Sequence, residues 1–165
     1  MPGELPGFSR MLEVLARHDV EFVVVGGFAA IIEGVPITTS DLDVVYHQQD
    51  ENLIRLARAL EELNAHYRDP AGRYIVPNVP KLATIRLHLL QTDLGKLDVL
   101  TRVGDNLTYF DLVENTKQYE LSGFSVQVLN LETIIKTKEH ANRPKDRAVL
   151  GRLREFLDLQ QTKDY

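Results

Sequence analysis

No cysteine occurs among the 165 residues. That absence excludes disulfides, thiolate metal sites and a cysteine nucleophile, and it fits a reducing compartment. No apolar run approaches the roughly 20 residues of a spanning helix, so no membrane partner is expected. The opening Met1-Pro2-Gly3-Glu4-Leu5-Pro6-Gly7 has neither a basic n-region nor an apolar h-region, which makes a cytoplasmic location the expectation. Positive charge is not in excess: the net charge is -5 at pH 7, which argues against a general nucleic-acid coating protein. Neither Gly-x-Gly-x-x-Gly nor Gly-x-x-x-x-Gly-Lys-Ser/Thr occurs, so a Rossmann fingerprint and a P-loop are both missing. His18, His47, His66, His88 and His140 lack the spacing of metal ligands and read as surface or core residues. There is no internal repeat and no Gly/Ser linker.

What is present is the composition of an ordinary soluble globular protein, 44% hydrophobic and 26% charged. The length suffices to bury one core without staples. A single domain over residues 1–165 is expected, with a core at about 8–129 and a helical segment at about 130–161. Phe8, Met11, Leu12, Leu15 and Ala16 recur at helical spacing and predict a helix over 8–18. Glu21 to Val25 read as a buried strand, and Gly26-Gly27 as the turn that ends it. Phe28 to Glu33 form a short helix stopped by Gly34 and Pro36, and a right-handed crossover leads into a second strand from Asp41 to Tyr46. A helix capped by Asp50 runs to Leu63. Residues 66–82 hold four breakers, Pro70, Gly72, Pro77 and Pro80, and read as irregular loop. Strands over 84–91 and 96–101 form a hairpin, a short helix covers 107–115, and a second hairpin turns at Ser122-Gly123. Two helices close the chain, one from Leu131 to Ala141 capped by Asn130, the other from Pro144 to about Gln160. The element order predicts an α+β fold, a mixed sheet flanked by helices, in preference to a doubly wound parallel sheet.

Asp41 and Asp43 lie one residue apart on a strand and share a face, with Leu42, Val44 and Val45 serving packing. Such a pair calls for a cation, and hard oxygen donors select Mg2+ or Mn2+ over zinc; ordinary acids on an exposed edge strand are the alternative. Asp98, inside Lys96-Leu97-Asp98-Val99-Leu100, is a third acid in an apolar strand. If the two strands are neighbours, the carboxylates converge as two divalent ions roughly 4 Å apart would require. Gly26-Gly27 falls where a strand meets a helix and suits close approach of a phosphate, or simple turn chemistry. Basic residues crowd the C-terminal segment from Lys136 to Arg154, as a polyanion-binding patch or a solvated helix face. Tyr67, Arg68, Arg73 and Tyr74 could contact a base, or belong to a surface loop.

Gly26-Gly27, Asp41-Leu42-Asp43 and Asp98 together resemble the signature of the DNA polymerase β-like nucleotidyltransferase superfamily. The segment from Lys138 to Arg147 is similar to the minimal prokaryotic branch, which includes toxins of toxin-antitoxin and abortive-infection systems. The resemblance implies an Mg2+-dependent transfer of a nucleoside monophosphate from an NTP such as ATP to an RNA, protein or small-molecule acceptor, with a cognate antitoxin as a partner in the toxin case. It implies that Asp41, Asp43 and Asp98 are catalytic metal ligands, with Asp98 favouring deprotonation of the attacking hydroxyl. Gly26, Gly27, Thr39, Ser40, Lys138, Lys145 and Arg147 would bind the nucleotide. Ile37 stands where close relatives often carry a basic residue, and Gly27 where many carry serine. The alternative from a different class is a non-catalytic module that keeps the fold and binds a nucleotide or a partner.

Overall fold

The apolar rhythm and the glycine breaks of the chain produce a seven-stranded mixed sheet with helices packed around it. The structure, a computed structural model, describes residues 4–163; Met1 to Gly3, part of the stretch read above for a leader, lie outside the described residues. Helix α1 (Glu4–Arg17) buries Met11, Leu12 and Leu15, and leads into β1 (Phe22–Val25), an entirely buried strand. Then come α2 (Gly26–Ile32), β2 (Asp41–Tyr46) and α3 (Asp50–Glu62). The middle of the chain holds β3 (His66–Tyr67), α4 (Val79–Thr84), β4 (Leu87–Thr92) and β5 (Gly95–Leu100). A small hairpin of β6 (Arg102–Val103) and β7 (Leu107–Thr108) precedes α5 (Tyr109–Val113). Strands β8 (Thr116–Leu121) and β9 (Phe124–Leu129) and helices α6 (Leu131–Ala141) and α7 (Pro144–Lys163) follow.

The strand order of the main sheet is β3-β4-β5-β2-β1-β9-β8. Two pairings are parallel, β2 with β5 and β1 with β9, and the others are antiparallel. This is the α+β mixed sheet that the element order predicts. Period-two alternation does the sorting: Leu42, Val44, Leu97 and Val99 are buried on one face, while Asp41, Asp43, Asp98 and Leu100 occupy the other.

Five expectations are corrected. The first two strands are not joined by a parallel crossover, because β1 and β2 pair antiparallel, with Val24 opposite Val44 and Val25 opposite Asp43. Helix α2 has seven residues and stops at a left-handed Gly34, φ 102°, so the chain re-enters the sheet from the end at which it left. The stretch 66–82 is not irregular throughout. Strand β3 adds to the edge of β4, and α4 carries Pro80 in its first turn with the Asn78 side chain accepting from the Lys81 N–H at 2.9 Å. Proline is tolerated in a first turn, where its missing N–H has no helical partner. Thr84 closes that helix through a hydroxyl bond to the Pro80 carbonyl, so β4 starts only at Leu87. Leu107 and Thr108 pair with β6, and the helix expected over 107–115 shrinks to α5, entered through a capping box between Thr108 and Asp111. At α3 the N-cap is Gln49, and Asp50 sits in the first turn, where its charge suits the helix dipole.

One buried side chain ties α3 to the sheet. Asn52 is fully buried; its Oδ1 accepts from the Glu21 N–H at 2.7 Å, and its Nδ2 donates to the carbonyls of Glu21 at 3.0 Å and His47 at 2.7 Å. Removing it strands three backbone groups. Asn52→Ala is therefore expected to lower unfolding stability by about 1–3 kcal/mol, read as a lower urea midpoint at unchanged slope; an unchanged midpoint would show that water replaces the clamp.

Candidate active site

The registers of β2, β5 and β4 bring the acids together. Asp43 lies directly beside Asp98 across the parallel pair, and Leu89 of β4 lies beside Asp98 on the far side. The row on one side of them is Asp41, Lys96 and Gln91; the row on the other is Val45, Leu100 and Leu87. Side chains of all three rows project from the same face. The adjacency of the two acidic strands, which the sequence could only suppose, is thus present in the structure.

Asp43 carries the electrostatic load. Burial pushes its carboxyl up to about 8, and the Asp98 charge, a hydrogen bond with Asp98 and the Asp41 charge push the same way, while Lys138 works against them. Asp98 is anchored from the opposite side. Arg68, one residue past β3, donates from one guanidinium nitrogen to Asp98 Oδ1 at 3.0 Å and from another to the Leu90 carbonyl at 2.7 Å. Ser40 donates to Asp41 Oδ1 at 3.2 Å, and the Thr39 hydroxyl bonds the Asp41 carbonyl at 3.1 Å. Among the described residues no group of three or more His, Asp or Glu side chains is gathered closely enough to enclose an ion. The donor set still fits a hard divalent cation, because two neighbouring carboxyls, one of them held protonated by burial and like charge, are the oxygen ligands whose repulsion such an ion relieves.

The antiparallel return of β2 explains the glycines. Gly26, with φ 70°, adopts a left-handed backbone, and a Cβ there would collide with the Asp43 carboxylate. A Cβ on Gly27 would fall 2.9 Å from the Thr39 side chain. Gly26 is thus required by the acid beside it, and Gly27 by the close approach of Thr39.

A cavity of about 930 Å3 opens over this face. One flank consists of Gly26, Gly27, Ile37 and the segment Thr38 to Ser40, together with Lys138 of α6, Arg143 between the two helices and Lys145 of α7. The β4–β5 flank consists of Arg68, Leu87, Leu89 and Leu100, and Arg102 and Val103 lead from it to Gly104, where a Cβ would fall 3.2 Å from Thr137 of α6. Lys138 and Arg143 are held by a buried acid that sequence reasoning passed over, Asp146. Its Oδ1 lies 3.6 Å from Lys138 Nζ, and Arg143 donates from Nε to its Oδ2 at 2.7 Å. Burial works against the Asp146 charge, but the Arg143 side-chain and backbone hydrogen bonds and Lys138 overcome it, leaving its pKa below the ordinary value.

Of the residues singled out from sequence, Gly26, Gly27, Thr39, Ser40, Asp41, Asp43, Asp98, Lys138 and Lys145 line this cavity. Arg147 does not. It bonds the Asn142 carbonyl at 2.6 Å, where the left-handed Asn142 ends α6. Arg73 pairs with Asp69, and Tyr74 packs on His66. Arg68, read above as a base contact or a loop residue, instead holds Asp98, and Arg102 went unassigned, because nothing in the sequence shows that β3 pairs with β4 or that β6 leaves β5 at the cavity wall. His88 is a core residue, bonded by Tyr46 and Tyr67.

A family model described as aminoglycoside-2''-adenylyltransferase matches residues 8–153. No curated protein sequence matches the chain. Among solved structures, a putative nucleotidyltransferase from Thermotoga maritima is similar at 20% identity and a TM-score of 0.55, over 99% of this chain and 94% of that one. The antibiotic-resistance factor ANT(2'')-Ia is similar at 16% identity and a TM-score of 0.52, over 87% of this chain and 77% of that one. At these identities the two structures bear on the fold alone, the mixed sheet flanked by helices described above.

The raised Asp43 pKa fixes the sign of a pH effect. In the metal-free folded chain Asp43 keeps its proton up to about pH 8, whereas in the unfolded chain it loses it near the ordinary aspartate value of 3.8. The folded state therefore binds the extra proton between these values, and its contribution to stability is complete below the unfolded pKa and lost as pH rises toward 8. Asp43→Asn is expected to flatten that decline and to melt above the parent at pH 8 in chelator. Thermal unfolding followed by circular dichroism checks it; an Asn variant that melts below the parent at pH 8 would mean the carboxylate ionises there at no cost.

Proposed function

Because the chain belongs to the aminoglycoside-2''-adenylyltransferase family, we propose that its cavity transfers the nucleoside monophosphate of an NTP, ATP in the first instance, to an acceptor hydroxyl, and that the transfer needs Mg2+ or Mn2+. The observation that carries this reading is the register of Asp43 beside Asp98 beneath a cavity whose opposite wall is cationic.

Asp41, Asp43 and Asp98 are the residues that would hold the metal. When bound, it supplies neutralisation of phosphate charge and polarisation of the reacting oxygens. The remaining work falls to the protein. Gly26 and Gly27 leave room for phosphate oxygens beside the acids. Lys138 presents an ammonium held in place by Asp146, and Lys145, for which no ion pair occurs among the described residues, is available to the leaving pyrophosphate. Thr39 and Ser40 shape the edge of the pocket, and their hydroxyls orient Asp41. The acceptor oxygen bonds to the α-phosphorus as the bond to the α,β-bridging oxygen breaks. Pyrophosphate leaves, and the acceptor proton passes to the Asp98 oxygen that Arg68 does not hold, or to water. Arg68 positions that carboxylate. Since α6 and α7 contribute Lys138 and Lys145 to a site whose acids come from the sheet, the core and the helical segment act as one catalytic unit.

The test is transfer of label from each NTP in the presence of Mg2+ to small hydroxyl compounds, to cellular RNA and to cellular protein. RNA or protein labelling would carry the toxin reading and its antitoxin partner. Asp43→Ala or chelator is expected to reduce transfer at least about a hundredfold, in line with loss of the electrostatic stabilisation of a transition state. Absence of transfer to every acceptor, with nucleotide binding that ignores Mg2+, would identify a binding module instead.

A further inference from the structure

The two flanks of the cavity differ in kind, and the difference bears on the acceptor. The flank formed by the glycine turn, α6 and α7 gathers three cations around the space beside Asp41 and Asp43. In-line displacement puts the attacking oxygen opposite the leaving pyrophosphate, so a nucleotide whose phosphates face those cations leaves the β4–β5 flank to the acceptor. On that flank Leu87 is 48% and Leu89 39% exposed, although both are leucines on a sheet face. With Leu100, which lies directly beside Leu87, they make an apolar shelf next to Asp98.

Its charges are positive. Arg68 is already paired with Asp98. Arg102 has no ion pair among the described residues, and its Nε is buried without a partner. Across the whole cavity wall the carboxylates are only the three assigned to the metal, against five cationic side chains. A multiply protonated amino sugar would need acids to balance its ammonium groups, and repulsion from an unpaired guanidinium would oppose it.

We infer that the acceptor is a hydroxyl compound with a flat apolar face and no positive charge, neutral or anionic, seated on Leu87, Leu89 and Leu100 with Arg102 at its edge, and not a polycationic aminoglycoside. This rests on the transfer reading for which flank the acceptor takes, but binding to the shelf can be measured without any transfer.

The chain labelled with 13C at leucine methyls is saturated with Mg2+ and a non-hydrolysable ATP analogue. It is then titrated with umbelliferyl glucuronide, umbelliferyl glucoside or tobramycin. The two aryl glycosides should shift the methyls of Leu87, Leu89 and Leu100, the anionic one binding more tightly, and tobramycin should leave them in place. Leu89→Gln and Arg102→Glu should each weaken the glucuronide at least about tenfold; Leu89 is 39% exposed, so its uncharged variant should melt like the parent, and Leu87→Gln provides a second change on the shelf. Tobramycin binding more tightly than the glucuronide, or aryl glycosides that shift no shelf methyl, would overturn the inference. Failure of all label transfer with the shelf shifts intact would instead count against the transfer reading alone.

Discussion

Two carboxyls set side by side on a parallel strand pair are the constraint around which this molecule is arranged. Asp43 and Asp98 cannot be moved apart without breaking the β2–β5 register, since a slip of one residue in either strand would send its acid into the core face and bring its leucine, Leu42 or Leu97, out. Their repulsion must be met by something else. In the metal-free chain the compensation is partial: a proton shared between the pair, Arg68 on the outer oxygen of Asp98, and Lys138 at longer range. A surface pair would need none of this, because water screens it. The arrangement makes sense as a site completed by a cation.

Asp146 shows how far that demand reaches. A fully buried acid is costly unless it is paired and hydrogen-bonded, and this one is satisfied by Arg143 and Lys138, both of which line the cavity. It fixes two long side chains at the cavity wall, from where the charges of both still act on Asp43. Gly34, whose left-handed turn contacts Phe156 of α7, joins the same helical segment to the strand-turn unit that carries Gly26.

Much of this was legible in the sequence, and the reasons differ by element. Asp41, Asp43 and Asp98 stood out because a charge in an apolar strand violates local patterning, and such violations mark functional positions. The α6 boundaries followed from Asn130, whose side chain accepts from the Thr133 N–H. What could not be read was pairing. The antiparallel return of β2 depends on where a seven-residue helix leaves the chain, and β3, two residues long, exists only because β4 offers it an edge. Arg68 belongs to that edge, so it looked like one more residue in a proline-rich loop. Arg147, by contrast, sat in a convincing basic run but serves the end of α6. Charge clusters in sequence do not reveal which members share a face with the site.

The same electrostatics connect stability to occupancy. A site that raises the energy of the empty folded state, by burying like charges, is stabilised by whatever neutralises them, and binding that favours the folded chain raises its stability by mass action. A cation and nucleotide bound as proposed would thus act on the fold as well as on the chemistry, since the strands that hold Asp43 and Asp98 lie at the centre of the sheet order. The proposed acceptor shelf would have no such role. Leu87 and Leu89 are exposed leucines on β4, at one side of that centre, whereas Asp43 and Asp98 lie where a change alters the charge balance of the central strands.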